Sequence, residues 1–490
     1  MRRKPGQESR RVGLFSLLIP ILGLLLLATA GCWDHLEMPD VAWILGMGID
    51  LGSKPGWYRV TAMVINTRTT FGPVGPQGSA TEPANFVVSA EAPSLLEASR
   101  LLTARLGRRA YYVFADVIII AGDVAKQGIA PLEDFFSRDR QFRRAQRFLV
   151  AKGLASDILD VRGTVEERPS ILITKALDHA GQTGLSEMVT KGQFEQMMSN
   201  PGQDPVLPVV ERVPTESQNV GRFSATLPEL GGTPAEPSSP PEPEGVPPES
   251  PSSPIMEGGV RSTLQVTGLA AFRNDELVGF FDGDETYGLV ALRRGFNNTP
   301  LTVTLPPDQT PPLVRIAPPS LPPGKGSSTQ YHSVPATPPG SSTRPPAGRL
   351  SALLFASAPQ IQPLVTPSGG LRFRVILQVN ATLTEVWGGY DLLNTEVLNK
   401  VKRSIEQEIR RRIQVALDRC AKLQVDPVGF GLKLYRSHPQ RWSEVQQHWP
   451  QLLASTPIDI RVELRTLNPG LSVGVPMHGR RGTEGSNLRR

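Results

Sequence analysis

Cysteine is nearly absent from this chain, which has two cysteines, Cys32 and Cys420, among its 490 residues. The chain can therefore form at most one disulfide, and its folded parts are expected to be held together by the packing of apolar side chains. The six histidines are scattered, and none lies in an HExxH pattern or beside a CxxC pair, so the sequence indicates no zinc site. Its Ser, Asp and His residues show no arrangement typical of a hydrolase.

A strong excess of one charge is also lacking. The formal net charge is +6, but residues 1–31 hold five basic residues and one acidic residue, which account for +4 of it. The remaining +2 is spread over the rest of the chain and gives no electrostatic indication of a nucleic acid partner.

Only one long apolar run stands out, at residues 12–28, and it follows a basic N-terminal region. This layout is typical of a secretory signal peptide. The small residues Thr29-Ala30-Gly31 precede Cys32, which predicts a bacterial lipoprotein cut before Cys32 and carrying diacylglycerol on that thiol. Each buried methylene contributes about 0.8 kcal/mol, so two or more acyl chains anchor stably. An uncleaved anchor helix is the alternative, and both interpretations hold the protein at a membrane.

Proline is abundant, with 47 residues, and it clusters. The acidic, proline-rich stretch at 230–259 and the Pro/Gly/Ser-rich stretch at 306–349 cannot form a core. After the signal peptide at 1–31, the sequence predicts an N-terminal α+β domain at 32–229, which can consist of two subdomains divided near residue 153. A linker at 230–259 follows. A C-terminal α+β domain at 260–470, containing the insertion at 306–349, and a flexible basic tail at 471–490 complete the predicted organisation.

Hydrophobic periodicity gives the expected elements of the N-terminal domain. Residues 41–50 and 57–68 read as two strands and predict a β-hairpin, and Ser94 and Gly107 are placed to begin and end a helix. The apolar run at 111–121 predicts one strand buried on both faces, and 147–151 predicts another. Residues 155–229 give weaker, mostly helical signals. This order favours an α+β or mixed α/β domain.

In the C-terminal half, residues 264–272 and 277–281 flank a turn and are expected to open the second domain. Residues 371–379 alternate as a strand, and 457–467 predict a closing strand. Between them, residues 391–423 predict a long amphipathic helix, because its apolar positions recur every three or four residues. The fold class that follows is a multi-domain α+β protein with mixed or antiparallel sheets flanked by helices.

Two patterns resemble binding motifs but have simpler explanations. Gly46-Met47-Gly48 could begin a dinucleotide loop, yet no third glycine follows at the required spacing, so a packed strand is favoured. Asp282, Asp284 and Glu285 lack the spaced ligand set of a calcium loop, and a polar turn entering a helix explains them equally well. No cofactor, metal or catalytic residue is therefore predicted.

The remaining candidates are a basic run and three buried-type side chains. The run of Arg138, Arg140, Arg143, Arg144 and Arg147 could face phosphates or anionic lipid, but nearby aspartates favour a solvated face. Cys420 lies on the apolar stripe of the long helix and is interpreted as a core residue. Trp442 and Trp449 are either core anchors or an exposed interface, and the core is favoured.

Three sequence blocks resemble the Ger(x)C spore germination lipoproteins, the C subunits of nutrient germinant receptors. The first is Gly31-Cys32-Trp33-Asp34 with Glu37, followed by Gly48-Ile49-Asp50. The second is GLAAFRNDELVGFFDGDETYGLVALRRG at 268–295, and the third is VDPVGFGLKLYRSHPQRWSEVQQHW at 425–449. A weaker match covers 135–153. The proline-rich stretches and the basic tail depart from the family pattern.

The resemblance implies a lipid-anchored, non-enzymatic subunit on the outer face of the spore's inner membrane. Its implied partners are the bilayer, through Cys32, and the integral membrane A and B subunits of the receptor. A second hypothesis is an extracytoplasmic solute-binding lipoprotein that serves a transporter. An anchored hydrolase is a third, and no group of residues supports it.

Overall fold

A computed structural model describes residues 20, 40–67, 84–161, 168–214, 262–305, 348–366, 370–386, 390, 392 and 394–470. The predicted signal peptide, Cys32, the linker, nearly all of the 306–349 insertion and the basic tail lie outside these residues. Those expectations stay predictions. Among the described helices, none combines the length and the apolar character needed to cross a bilayer.

The described strands, labelled in chain order, are β1 Val41–Leu51, β2 Tyr58–Ile65, β3 Asn85–Ala92, β4 Arg109–Tyr111, β5 Val117–Ala121, β6 Arg147–Ala151, β7 Val206–Pro214, β8 Ser262–Arg273, β9 Glu276–Phe281, β10 Phe296–Thr304, β11 Arg349–Ala356, β12 Gln360–Val365, β13 Leu371–Val386 and β14 Ile458–Asn468.

The described α-helices are α1 Leu95–Leu106, α2 Gly122–Lys126, α3 Ala130–Arg138, α4 Ala155–Leu159, α5 Pro169–Asp178, α6 Ala180–Thr183, α7 Lys191–Ser199, α8 Gly283–Arg293, α9 Thr395–Leu423, α10 Phe430–Ser437, α11 Pro439–Val445 and α12 Trp449–Ser455. Short 3₁₀ turns lie at Tyr112–Phe114 and Gln446–His448.

The first sheet has the strand order β3-β2-β1-β5-β6-β7-β8-β9, with β4 beside β1. Its centre is parallel, because β1, β5, β6 and β7 all run in one direction, and its two flanks are antiparallel. Central parallel strands are covered on both faces, which explains why β5 is buried at every residue.

Helices cover both faces of this sheet. On one face, α1 and α3 bury Leu102, Leu132 and Phe136 against the strands. On the other face, α4 and α5 bury Leu159 and Ile173 in a smaller apolar cluster. The predicted helix between Ser94 and Gly107 is confirmed as α1: the Ser94 hydroxyl accepts a hydrogen bond from the Glu97 N–H, and Gly107 ends the helix with φ +62°.

The second sheet is built around β13, which has β11 and β12 along one edge and β14 along the other, while β10 lies outside β11. Alternate residues of β13, such as Phe373 and Val375, point to an apolar core covered by α9. The outward residues are polar, as expected for a sheet with one solvated face.

The long helix α9 is confirmed, beginning at Thr395 with Asn394 as its N-cap and ending at Leu423. Its apolar stripe enters two cores. Val397, Val401, Ile405, Ile409 and Ile413 pack in the core of the second sheet. Ala416 and Cys420, at its C-terminal end, pack in the core of the first sheet. One helix of about 43 Å therefore holds the two sheets together.

The hairpin that was expected to open the second domain extends the first sheet instead. The predicted strands are present as β8 and β9, which pair antiparallel, but β8 also pairs with β7 from Val206 to Pro214. Pro214 and Ser262 are direct partners in this ladder. The proline-rich linker is thus an insertion between adjacent strands of one sheet, and it does not mark the boundary between the two sheets.

The prediction of a single strand at 111–121 is wrong in detail. The chain forms β4, a 3₁₀ turn and then β5, and both strands pair parallel with β1. From Trp43 to Gly46, β1 advances three residues while its partner advances six, from Tyr111 to Val117. The turn takes up the extra residues. It is held by Gln141 and Gln146, whose side chains bond the backbone of Tyr112.

The sequence did not predict β11 and β12 of the second sheet, nor two strands of the first sheet. The first, β3, pairs only with β2 and forms one edge of the sheet. The second, β7, lies in the stretch interpreted as mostly helical, and it contains Pro208 and Pro214, which weaken a strand signal. Pro208 stands at an irregularity in the pairing of β7 with β8, where the missing N–H is tolerated.

Gly46-Met47-Gly48 lies inside β1, which confirms the packed-strand interpretation. A β-carbon at Gly48 would lie 3.1 Å from the Ala155 side chain and 3.2 Å from Leu159, both in α4. A β-carbon at Gly46 would lie 3.1 Å from Leu159. These glycines therefore let α4 approach the sheet closely.

Asp50, at the end of β1, accepts hydrogen bonds from the first N–H groups of α4, at Ala155 (2.6 Å) and Ser156 (3.0 Å).

We expect Gly48→Ala to lower the free energy of unfolding by about 1–2 kcal/mol, because the added methyl group overpacks the contact with α4. Gly181→Ala is the matched control, since a β-carbon at that exposed helical glycine meets nothing within 4 Å. The control should be neutral or slightly stabilising. Urea denaturation of both variants makes the comparison, and equal effects would contradict the close-packing role of Gly48.

Candidate functional site

The third sequence block folds around one buried carboxylate, that of Asp426. Its Oδ1 accepts hydrogen bonds from the N–H groups of Gly429 (2.8 Å) and Phe430 (3.0 Å). Its Oδ2 accepts from the Gly431 N–H (2.8 Å) and from the indole Nε1 of Trp449 (3.0 Å). Asp426 therefore caps α10 and also fixes α12, so the DPVGFG and tryptophan parts of the block form one structural unit.

This unit is bonded to the segment that leads into β7. The Asp426 N–H donates to Asp204 Oδ2 (2.7 Å), and the Asp204 N–H donates to the Asp426 carbonyl (2.9 Å). The Leu432 N–H donates to the Gly202 carbonyl (3.1 Å). Gly202 has φ +66°, and a β-carbon there would lie 2.3 Å from the Trp442 ring, so only glycine fits. We call this contact region, centred on Asp204 and Asp426, the junction.

The second sequence block reaches the same junction through Arg293, at the end of α8. Its guanidinium bonds the carboxylate of Glu187 with N–O distances of 2.7 and 2.8 Å and also donates to the Pro427 carbonyl. Arg294 bonds the other oxygen of Glu187 at 3.2 Å. Glu187 is only 2% exposed, so its charge depends on these two partners.

The acidic groups of the junction have shifted pKa values with clear causes. Burial raises the pKa of Asp426 to about 6, although four hydrogen bonds to its carboxylate oppose the shift. Burial likewise raises the pKa of Asp204. For Glu187, burial alone would raise the pKa, but the charges of Arg293 and Arg294 outweigh it and leave the pKa lowered. Their polar atoms point at protein groups, so the arrangement is suited to holding elements together.

The acidic group at the start of α8 is engaged by cations of the chain. Lys152 pairs with Asp282 (3.0 Å), Arg411 and Arg412 with Asp284 (2.5 and 3.3 Å), and Arg419 with Glu285 (3.5 Å). The Asp282 N–H donates to the Glu285 carboxylate at 3.3 Å. The expected polar turn into a helix N-terminus is confirmed, and the group also joins α8 to α9.

The described part of the chain contains no cluster of three or more His, Cys, Asp or Glu side chains that could hold a metal ion. His179 lies 3.3 Å from Gln182 Oε1, and His438 lies 2.9 Å from the Ser437 hydroxyl. These neighbours are polar side chains close by in sequence. The structure therefore brings none of the described histidines into a catalytic arrangement.

Trp442, Trp449 and Cys420 are buried, which confirms their assignment to the core. The two indole rings meet edge to face with centroids 5.3 Å apart, and Trp449 also packs against Phe373 of β13. Burial raises the pKa of the Cys420 thiol well above its ordinary value, so this cysteine is a poor nucleophile.

The basic run divides into paired and unpaired arginines. Arg138 pairs with Asp134 (2.8 Å), Arg144 with Glu195 (2.9 Å) and Arg147 with Asp178 (3.0 Å). Arg140 and Arg143 are exposed and have no ion-pair partner within the described residues. The solvated-face interpretation therefore holds for most of the run, while Arg147 is partly buried at the start of β6.

Sequence analysis missed Glu187 and Asp204. Both lie in the region of weak signals between residues 155 and 229, and both act through partners more than 90 residues away in the chain. A single acidic residue in an irregular stretch is usually solvated, so no local pattern marked them. Arg293 and Asp426 lie in the recognised blocks, but their partners became visible only in the fold.

The fold and the junction thus define a two-sheet α+β protein whose characteristic sequence blocks meet in a buried structural contact. Two family models match this chain: "Spore germination protein N-terminal domain" over residues 34–212 and "Spore germination B3/ GerAC like, C-terminal" over residues 340–470. The chain belongs to the Ger(x)C family of spore germination proteins. Members of this family are subunits of germinant receptors, so membership supports a role in such a receptor.

Relatives in Bacillus subtilis (strain 168) match almost end to end. Spore germination protein KC is 22% identical over 462 residues, which cover 93% of this chain and 96% of the relative. Spore germination protein YndF is 18% identical, covering 91% and 94%. The crystal structure of the GerBC protein aligns with 13% identity and a TM-score of 0.42 over 89% of this chain and all of that one. That likeness is distant, and the fold described above rests on this chain's own strands and helices.

Asp426→Asn should destabilise the fold by about 2–3 kcal/mol at neutral pH, because an amide N–H₂ replaces an oxygen that accepts two N–H groups. Asp418→Asn is the matched control, since Asp418 is exposed on α9 and bonds only Gln414 within the described structure. Urea midpoints of the two variants provide the measurement, and the control should stay within about 0.5 kcal/mol of wild type.

The difference in unfolding free energy between wild type and Asp426→Asn should depend on pH. The pKa of Asp426 is about 6 in the folded protein, above the ordinary 3.8, so the folded state binds the proton more tightly. The resulting stabilisation is fully present below pH 4 and is lost as the pH rises through about 6. The advantage of wild type over Asp426→Asn should therefore grow by up to about 3 kcal/mol between pH 7 and pH 4. A difference that does not change with pH would contradict this account.

Proposed function

We propose that this chain is a lipid-anchored subunit of a spore nutrient germinant receptor and acts there as a non-catalytic scaffold. The observation that carries the proposal is the position of the sequence blocks shared with the family. Asp426, Arg293 and Trp449 are buried and bonded to other parts of the chain. These buried contacts of the described blocks join the two sheets, which is what a scaffold requires.

The proposed anchor is diacylglycerol on Cys32, placed by the signal peptide layout of residues 1–31. Two acyl chains give stable attachment to a bilayer. The chain would then lie on the outer face of the spore's inner membrane. Its proposed partners there are the integral membrane A and B subunits, and nutrient recognition would belong to those subunits.

Cys32→Ala should abolish incorporation of radiolabelled palmitate and release the chain from spore membranes, because no acyl acceptor remains. Cys420→Ala is the matched control: this buried thiol lies in the core, so the label should be retained. Equal labelling of wild type and Cys32→Ala would overturn the anchor.

Spores carrying Cys32→Ala should release dipicolinate slowly after nutrient addition and normally after dodecylamine, which does not act through a nutrient receptor. A strain whose other germinant receptor operons are deleted makes the result decisive. Normal nutrient responses in that background, or failure of the chain to co-purify with membrane subunits, would contradict the scaffold role.

A second candidate function, binding of a small anionic solute, is favoured by one cavity. It has a volume of about 230 Å³ and lies between the two sheets, where Arg294, Lys433, Arg436 and Gln203 contribute to its lining. Lys433 and Arg436 are exposed and have no ion-pair partner in the described structure. Lys433 and Arg436, together with Arg294, which also pairs with Glu187, would attract a carboxylate or phosphate group to this cavity.

Citrate should then raise the melting temperature of the protein saturably, since a ligand at 100 times its Kd stabilises the folded state by about 2.7 kcal/mol. The double variant Lys433→Gln/Arg436→Gln should lose the shift, and Lys402→Gln/Arg403→Gln on α9 is a control with the same charge change. Absence of a saturable shift with citrate and phosphate would exclude this candidate.

A further inference from the structure

The aromatic side chains around the start of β1 form a cluster in which Trp43 and Tyr111 are half-buried and Phe114 is exposed. Trp43 and Tyr111 are partners in the parallel pairing of β1 with β4. The Phe114 ring lies 5.3 Å from the Trp43 ring and 6.0 Å from the Tyr111 ring. Phe114 is 44% exposed, although a phenylalanine gains by burial. The cluster lies on the outer side of these strands, because the intervening Ala42 and Ala110 point into the first core.

Four arginines without ion-pair partners among the described residues lie in the segments next to this cluster. Arg108 and Arg109 are exposed at the start of β4, where Arg109 is the register partner of Val41. Arg140 and Arg143 lie in the loop that packs against the 3₁₀ turn, since Gln141 accepts the Tyr112 N–H (3.0 Å) and the Phe142 ring lies 5.3 Å from the Tyr112 ring. None of the four has an ion-pair partner within the described residues.

Acidic side chains in the same segments are Asp40, Asp116 and Asp139, and the Asp139 carboxylate is engaged by the Gln141 N–H at 2.9 Å. The surface formed by Trp43, Tyr111, Phe114 and the four arginines therefore keeps a net positive charge. We call it the aromatic–arginine surface. Aromatic rings with nearby cations are the side chains that favour the interface between a bilayer and water.

The position of this surface relative to Cys32 identifies its occupant. Asp40 lies eight positions after Cys32. A fully extended chain advances at most about 3.6 Å per residue, so β1 begins within about 30 Å of a lipid attached to Cys32. The start of β1 is the part of the described fold closest in sequence to that lipid. It is also where the aromatic–arginine surface lies.

We propose that the aromatic–arginine surface docks onto an anionic lipid bilayer and orients the folded chain on the membrane. The inference rests on the anchor proposed above at Cys32. The acyl chains hold the protein near the bilayer, the rings enter the interface, and the arginines bind lipid phosphates. An arginine close to an anionic membrane strengthens binding about fivefold, so four arginines can fix one orientation of a tethered domain.

The test uses the full lipidated protein reconstituted in vesicles of phosphatidylcholine and phosphatidylglycerol in equal parts, with and without brominated phosphatidylcholine. Bromine quenches tryptophans that reach the bilayer. Subtracting the emission of Trp43→Phe from that of wild type isolates Trp43 from the other tryptophans. Brominated lipid should quench the Trp43 emission if the ring lies at the interface.

The variant Arg108→Gln/Arg109→Gln/Arg140→Gln/Arg143→Gln should lose this quenching while staying on the vesicles through its anchor. Arg138→Gln/Arg144→Gln is the matched control from the same region, because both arginines are held in ion pairs. It should be quenched like wild type. Vesicles of phosphatidylcholine alone should give little quenching of Trp43.

Flotation of the vesicles distinguishes failure of the docking proposal from failure of the anchor proposed at Cys32. A protein that floats but shows no Trp43 quenching, or shows the same quenching in the four-arginine variant, overturns docking and leaves the anchor intact. A protein that does not float overturns the anchor. In that case the same fluorescence difference, measured with vesicles in excess, still decides docking, because the surface is then tested without the tether.

Discussion

The structure depends on the continuous apolar stripe of α9, which must be buried in two cores at once. Its first five turns cover the second sheet, and its last two buried residues, Ala416 and Cys420, enter the core of the first sheet. Neither sheet can bury its apolar face fully without this helix. The close crossing of α8 and α9 follows from the same constraint: a β-carbon on Gly288 would lie 2.1 Å from the Arg412 carbonyl.

The polar junction at the end of α9 fixes the direction in which the chain continues. The Asp426 carboxylate accepts hydrogen bonds from N–H groups at the start of α10 and from the Trp449 indole. The Asp426 backbone N–H donates to Asp204, which precedes β7. Buried ionised groups are costly unless they are paired and hydrogen-bonded, so such a network tolerates few arrangements. The solvent-facing chemistry lies elsewhere, in the cationic cavity and on the aromatic–arginine surface.

Many of the helices and strands could be predicted from local sequence patterns. The first hairpin, α1 with its Ser94 and Gly107 ends, the long helix and the hairpin at 264–281 were all predicted close to their observed positions. The errors came from long-range pairing. The hairpin of β8 and β9 joined the first sheet because β7, weakened as a signal by its prolines, supplied an unforeseen partner. On α9 the ion pair of Glu408 with Arg412 joins residues four positions apart, whereas the Glu406 carboxylate accepts a hydrogen bond from the distant Leu464 N–H of β14.

The sequence by itself determined the signal peptide layout with Cys32, the proline-rich interruptions, the amphipathic stripe of α9 and the blocks that carry the family resemblance. These features depend on residue type and spacing along short stretches of the sequence, so they do not require knowledge of the fold. Only the tertiary structure decided that the stripe serves two cores, that Glu187 and Arg293 neutralise each other, and that Trp43 and Tyr111 stand beside Phe114 near unpaired arginines. Such contacts join residues dozens to hundreds of positions apart, and their formation depends on how every intervening element packs.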